Sequence, residues 1–170
     1  MRRCLLYIAI LLLLAACENI TCPLNNTVEC KYKFCTISGE SFTLGDTLTV
    51  TIAGRDSVIL NRLVNKNSMS LPVSYYAPAD TLVPTFTDTQ GDQAQDTIWM
   101  EKTSTPHFDD PSCPIHVWHT ITDVHYTRNL IDSLVILNTA INYDGLENIQ
   151  IRTSSTSHAR VDLRRRGFGD

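Results

Sequence analysis

The sequence predicts an all-β protein, an antiparallel β-sandwich of which immunoglobulin-like domains are one example. From residue 28 to residue 152, short runs rich in Val, Ile, Leu, Thr, Tyr and Phe are divided by Gly, Asp, Asn and Pro, which is typical of strands and turns. No window shows the apolar spacing of an amphipathic helix. We expect about eight to ten short strands around one core, with disulfide support from Cys22, Cys30, Cys35 and Cys113.

The first half of the domain divides into five predicted strands. A hairpin turn, Ala53–Asp56, separates the second strand from the third. Because proline cannot donate to a strand ladder, Pro72 and Pro84 assign their strands to sheet edges or strand ends. An exposed edge strand can pair with a strand of another chain, so assembly with a second chain is one possible function. The five strands are Val28–Ile37, Leu48–Ile52, Ser57–Leu63, Met69–Val73 and Leu82–Thr87.

The second half of the domain contains further runs of the same composition. The predicted strands are Ile98–Lys102, His107–Phe108, Ile115–Tyr126, Leu134–Leu137 and Ile149–Arg152. Residues 153–170 begin with a Ser/Thr run and end in an arginine-rich, apolar-poor segment. We expect this segment to be a disordered tail.

The first seventeen residues predict export and lipid attachment. Arg2 and Arg3 precede the apolar run Leu5–Leu14, and Leu14-Ala15-Ala16-Cys17 resembles the lipobox of bacterial lipoprotein signal peptides. The apolar run is shorter than the ~20 residues that a membrane-spanning helix needs. We predict that residues 1–16 are a cleaved signal peptide. Cys17 would then carry fatty acyl chains, and residues 17–27 would be a lipidated tether.

The predicted compartment is the cell envelope. Glu18 follows the acylated cysteine, and by resemblance to the enteric sorting rule this residue is not a signal for retention in the inner membrane. The outer membrane is therefore preferred, with the periplasmic or surface face left open.

The charge distribution argues against nucleic-acid binding. Residues 17–151 contain seven basic and sixteen acidic side chains, a net charge of −9, and an acidic body repels phosphate backbones. From Arg152 onward, five arginines and two aspartates give the end of the chain a net charge of +3. The expected partners are therefore a membrane, through the lipid anchor, and another macromolecule of the envelope.

The four cysteines after Cys17 suggest two disulfides in an exported protein, and counting alone leaves three connectivities open. On a straight strand Cys30 and Cys35 lie about 16 Å apart, too far to bridge. We favour pairing of Cys113 with one of the three N-terminal cysteines. A zinc site is not expected, because no C-x2-C spacing is present.

A triplet of Asp, then Ser or Thr, then an aliphatic residue occurs five times, each time just before or at the start of a predicted strand. One interpretation is turn chemistry, in which the Asp side chain accepts a hydrogen bond from the backbone amide two residues on. The other is O-glycosylation, since the triplet looks like the acceptor used on exported proteins of Bacteroidales. The candidate acceptors are Thr47, Ser57, Thr81, Thr97 and Ser133.

Several blocks in order resemble a family of uncharacterised Bacteroidales lipoproteins, a domain of unknown function. The resemblance covers about Cys17 to Ile151, and it implies no catalytic residue because the family has no assigned activity. The blocks, besides the lipobox, are Cys22–Thr27, Gly45–Val50, Asp56–Arg62, Ser70–Tyr75, Asp96–Trp99, Thr105–Phe108 and His119–Val124.

The segment His107–Tyr126 contains the densest group of chemically active side chains. A metal or acid–base site would use His119, Asp123 and His125, which share one face of a continuous strand. However, His119 and His125 are separated by about 20 Å on such a strand, so they cannot share one ion. Motifs such as G-x-S-x-G and H-E-x-x-H are missing.

The sequence therefore favours a noncatalytic, lipid-anchored envelope module that binds or organises another macromolecule. No cofactor and no metal site are predicted. The alternative is a metal-assisted or hydrolytic enzyme that uses the His107–His125 segment.

Overall fold

The structure is a computed structural model that describes residue 22 and residues 28–55 and 57–153. The described residues form eleven strands, and no helix able to cross a bilayer occurs among them. In chain order the strands are β1 (Glu29–Cys35), β2 (Thr47–Ile52), β3 (Val58–Leu63), β4 (Ser68–Pro72), β5 (Ala79–Thr87), β6 (Gln93–Gln95), β7 (Ile98–His107), β8 (His116–Tyr126), β9 (Ile131–Ile136), β10 (Ala140–Ile141) and β11 (Ile149–Thr153).

Three predictions concern residues outside this description. The signal peptide over residues 1–16, the acylation of Cys17 and residues 154–170 of the predicted disordered tail lie there. Thr153, the first residue of that predicted tail, is instead the last residue of β11.

The strands form two sheets, which confirms the predicted all-β fold. The smaller sheet has the order β4-β1-β11-β9, and the larger has the order β10-β8-β7-β5-β2-β3, with β6 also paired to β5. One pair corrects the antiparallel prediction, because β1 and β11 run parallel, with Tyr32 opposite Ile149. A parallel pair needs a long connection, and here nearly the whole domain connects these two strands.

The core lies between the two sheets. Tyr32 and Phe34 of β1 are fully buried, as are Ile149 and Ile151 of β11. They join one apolar cluster with residues of the larger sheet, and the Tyr32 hydroxyl contacts the sulfur of Met100 at 3.8 Å. Alternating buried positions along β1 and β11 place one face of each strand in this core, as a period of two requires.

The prediction that proline marks a sheet edge or a strand end is confirmed for Pro72 and wrong for Pro84. Pro72 ends β4, which is an edge strand of the smaller sheet, as predicted. Pro84 lies within β5, an interior strand, so the predicted edge position is wrong there. The carbonyl of Pro84 accepts a hydrogen bond from the amide of Asp96, in the gap between the stretches of β5 that pair with β7 and with β6. A residue's N–H and C=O point to the same side of a strand, so Pro84 removes no ladder hydrogen bond.

The turn interpretation of the Asp triplets is also wrong at two residues that the structure describes. Asp80 lies within β5 and pairs with Lys102. Asp96 accepts hydrogen bonds from residues 127–131 and not from its own turn. Bonds to the amide two residues on are formed instead by Asp88, Asp110 and Asp144, with Gln90, Ser112 and Leu146 as donors.

One disulfide is present among the described cysteines. It joins Cys22 to Cys113, across 91 residues of sequence. Cys30 and Cys35 are buried free thiols, so the second expected disulfide does not form. Both residues lie on β1, which pairs with β4 in regular register, and a straight strand keeps them about 16 Å apart.

The five candidate acceptors for glycosylation are distributed over the domain. Thr47, Thr81 and Ser133 lie within strands, Thr97 lies between β6 and β7, and Ser57 lies at the turn before β3. Of these, Ser57 is exposed and the others are half-buried. Their glycosylation stays a prediction.

Candidate functional site

The three residues of the alternative metal or acid–base site are not brought together. His119 is 3% exposed, and its Nδ1 lies 2.9 Å from Ser104 Oγ on the paired strand. Asp123 and His125 form an exposed pair, with 3.3 Å between Oδ2 and Nε2. Within residues 28–55 and 57–153, and Cys22, no group of three His, Cys, Asp or Glu side chains is placed to hold a metal ion.

The Ser104–His119 pair has the composition of a nucleophile and its base, but its electrostatics oppose that role. Burial and, after it, the positive charge of Lys102 lower the pKa of His119 to about 4, while Asp80 opposes the shift. A general base works best when its pKa lies near the operating pH. His119 is therefore a neutral hydrogen-bonding residue near pH 7 and a weak base.

His119 makes the stability of the fold sensitive to acid. Its pKa is lower in the folded protein than the ordinary value of 6.5, so the unfolded chain binds the extra proton first as the pH falls. The contribution of His119 to stability is present above pH 6.5 and is lost progressively as the pH falls toward 4. In His119→Gln, the free energy of unfolding should fall less steeply across this window than in the parent chain.

The measurement for His119 is urea unfolding of both chains at pH 4.5, 5.5, 6.5 and 7.5. The exposed His125→Gln variant is the control, and its profile should run parallel to that of the parent. Parallel profiles for His119→Gln and the parent would contradict the buried neutral histidine.

A second group of histidines lies at the end of the β7–β8 hairpin. His107 and His116 are opposite each other at the last paired position of the two strands. The carboxylate of Asp109 lies between them, with His107 Nε2 at 3.3 Å from Oδ1 and His116 Nε2 at 3.4 Å from Oδ2. His116 is fully buried, and neither of its ring nitrogens makes a hydrogen bond to another described residue. Asp109 thus connects the 108–115 loop to both strands.

Aromatic side chains surround this histidine pair. The ring of His107 stacks on Trp118 with centroids 3.5 Å apart, and Tyr143 meets His116 edge-on at 5.2 Å and Trp118 at 6.4 Å. Tyr143 is in the loop that follows β10, which pairs with β8. These contacts hold the hairpin end and that loop together, and they leave aromatic side chains at the surface.

Lys102 is a buried polar residue that the sequence interpretation missed. It is 4% exposed, and its Nζ lies 3.6 Å from Asp80 Oδ2 and 2.9 Å from the carbonyl of Ser74. It also donates to Ser74 Oγ and to the carbonyl of Ala77. The signal was available in the alternation Ile98, Met100, Lys102, since every second residue of a strand faces the same side.

A polar cleft of about 570 Å³ lies at the β3 edge of the larger sheet. Its floor is formed by Thr47 and Thr49 of β2 and by Thr87, which is opposite Thr47 on β5. Hydroxyl, amide and charged side chains complete the lining, from Asn61 and Arg62 of β3 and from the loop residues Asp88, Thr89, Gln90, Gly91 and Gln93.

Arg62, which lines the cleft, has a left-handed backbone conformation. Its φ is +53°, which is uncommon for a residue with a side chain and often marks a functional position. The register between β2 and β3 shifts beside it, and its amide donates to Thr49 Oγ1 at 3.4 Å. The sequence interpretation missed this cleft, although the alternating Thr47 and Thr49 indicated an outward polar face.

Comparison with known proteins identifies one family. Residues 47–152 match a family described as "Family of unknown function (DUF6452)". No curated protein and no solved structure matches the chain. The matched range begins at β2, so it does not include β1, which lies between β4 and β11 in the smaller sheet.

Proposed function

The chain belongs to this family of unknown function, and from that premise we propose that it is a lipid-anchored envelope protein whose β-sandwich is a noncatalytic binding module. The polar cleft carries this proposal. Its partner would be a macromolecule of the envelope, and its anchor would be acyl chains on Cys17.

The disulfide supports the proposed compartment. A bond between Cys22 and Cys113 closes a loop of 91 residues, and stable disulfides are typical of exported proteins and rare in the cytosol. The lipobox sequence that precedes it would place Cys17 only five residues before Cys22. The anchor and the folded domain would therefore be connected both through the chain and through the disulfide.

The lining of the cleft suggests the chemistry of the partner. Threonine hydroxyls and Gln and Asn amides both donate and accept hydrogen bonds, while Arg62 offers a planar group with five donors. Asp88 Oδ1 already accepts bonds from the amides of Gln90 and Asp92, so it stabilises the loop at the rim. Such a set matches a chain of hydroxyl groups, and a glycan is the class of macromolecule that presents one.

The proposal predicts saturable binding of a glycan at the cleft. We expect Arg62→Ala to weaken binding at least tenfold, because a hydrogen bond to a charged donor contributes about 1.5–3 kcal/mol. The measurement is isothermal titration of the purified chain with fractionated envelope polysaccharides. Chemical shifts of the Thr47 and Gln90 amides would show whether the ligand enters the cleft.

Arg55→Ala is the matched control. Arg55 is an exposed arginine at the β2–β3 turn and does not line the cleft, so this variant should bind as the parent does. Equal losses in both variants would indicate a diffuse charge effect and not a site. Saturable binding that leaves the cleft amides unshifted would contradict the assignment of the cleft.

A further inference from the structure

We propose that the loop between β7 and β8, together with the aromatic side chains beside it, lies against the surface of the lipid bilayer. We name this face the aromatic surface and define it by Tyr75, Tyr76, Phe108, Ile115 and Tyr143. The inference rests on the proposed function in one respect, the acylation of Cys17.

The tether is too short to let this loop move far from a membrane. Cys22 is five positions after Cys17, and five residues can span at most about 18 Å when fully extended. Cys22 is bonded to Cys113, which lies in the 108–115 loop. Acyl chains on Cys17 would thus hold this loop within roughly two nanometres of the lipid headgroups.

The same loop exposes two large apolar side chains. Phe108 is 59% exposed and Ile115 is 52% exposed. They directly follow and precede the paired residues His107 and His116, with Cys113 between them in the chain. The disulfide that connects the domain to the lipid tether and the exposed apolar side chains are therefore on one loop.

The apolar character continues across the neighbouring loops. Tyr143, 42% exposed, contacts His116 and Trp118. Burial, then Asp109 and then Tyr75 raise the pKa of Tyr143. The rings of Tyr75 and Tyr76 are 6.2 Å apart, and Tyr76 is 96% exposed.

The composition of this face favours a membrane interface over bulk water. Tyrosine combines an apolar ring with a polar hydroxyl, and tyrosine and tryptophan are enriched where headgroups meet acyl chains. Because Tyr76 is almost fully exposed, nearly all of its ring is accessible to such an interface.

The charges of the loop select the kind of lipid. Asp109 lies between His107 and His116, and hydrogen bonds from Ser112 lower the pKa of the neighbouring Asp110 carboxyl. Negative groups at this face would be repelled by anionic lipids. We therefore expect closer contact with zwitterionic bilayers than with anionic ones.

The test places one tryptophan probe on the aromatic surface and one elsewhere. Phe108→Trp carries the probe, and Val58→Trp is the matched control, because Val58 is 53% exposed and lies on β3, at the opposite edge of the larger sheet from β10. The full lipidated chain is reconstituted into phosphatidylcholine vesicles that contain a brominated lipid. Quenching of the parent chain, which has two tryptophans, is subtracted.

We expect quenching of the probe at position 108 to be at least threefold greater than at position 58, and to decrease when phosphatidylglycerol replaces half of the lipid. Equal quenching at the two positions in an acylated chain would overturn the inference and leave the proposed anchor intact. Solvent protection of position 108 in cells without quenching in vesicles would assign the surface to a protein partner, which also overturns it. Mass spectrometry of the native chain tests the anchor separately, and an unacylated Cys17 would remove both proposals.

Discussion

Replacing Asp96 with alanine is expected to lower the free energy of unfolding by about 4 kcal/mol or more, because the fold depends on its carboxylate. Asp96 is 1% exposed. Its Oδ1 accepts hydrogen bonds from the Thr127 hydroxyl and the Asn129 amide, both at 2.7 Å. Its Oδ2 accepts from the amides of Leu130 and Ile131 at 2.7 and 3.0 Å.

The energetic cost follows from the donors that the substitution would leave behind. A buried donor without a partner costs about 1–3 kcal/mol, and a small domain has only about 5–15 kcal/mol in total. The donors belong to the connection that leads from β8 in the larger sheet to β9 in the smaller one. Asp96→Ala should therefore loosen the joint between the sheets, and a substantial fraction of the chain should be unfolded near 37 °C.

Asp144→Ala is the control for Asp96. Asp144 is exposed and accepts the amide of Leu146 in its own turn at 2.8 Å, so we expect a loss of about 1 kcal/mol or less. Urea unfolding followed by tryptophan fluorescence compares the two variants with the parent. If both variants lose the same small amount, water must replace the carboxylate of Asp96 and the joint is weaker than the hydrogen bonds indicate.

Asp96 also illustrates what the sequence can and cannot predict. Its position just before a strand was readable, because aspartate and threonine between two β-rich runs mark a boundary. Its partners were not readable, since they lie about thirty residues away and depend on how β8 crosses to β9. Local turn chemistry predicts the element boundary, whereas tertiary structure decides which amides the carboxylate accepts.

The same division applies to the strands and to the candidate sites. Alternation of apolar residues predicted most strands to within a few residues, but it missed the short strands Gln93–Gln95 and Ala140–Ile141. The separate strand predicted at His107–Phe108 is wrong, because His107 is the last residue of β7. The cleft depends on a bulge and on the φ of Arg62, which no local pattern specifies. The aromatic surface depends on the contacts of Tyr143 with His116 and Trp118 of β8, which form only in the folded chain.

Replacing Lys102 with methionine should be the second most damaging change, with an expected loss of about 3–5 kcal/mol. Methionine keeps much of the length of the side chain but removes the ammonium group that connects Asp80 to the β4–β5 loop. Removing one partner of a buried ion pair leaves the other charge uncompensated, which costs more than the pair itself stabilises. Lys33→Met is the matched control, because Lys33 forms a 2.8 Å ion pair with Glu147 while remaining partly exposed, and surface pairs of this kind contribute little to stability.

Lys102 and Asp80 should act as a unit, and a double-mutant cycle measures this directly. Asp80→Asn combined with Lys102→Met should lose less stability than the sum of the single variants, by about 0.5–3 kcal/mol. The histidine nearby supplies a second, electrostatic measurement. Because the charge of Lys102 lowers the pKa of His119 and Asp80 raises it, the pKa of His119 should rise in Lys102→Met and fall in Asp80→Asn, as followed by NMR titration of the imidazole. Additive losses together with an unchanged His119 pKa would mean that Lys102 stabilises the domain through the packing of its methylene groups and not through its charge.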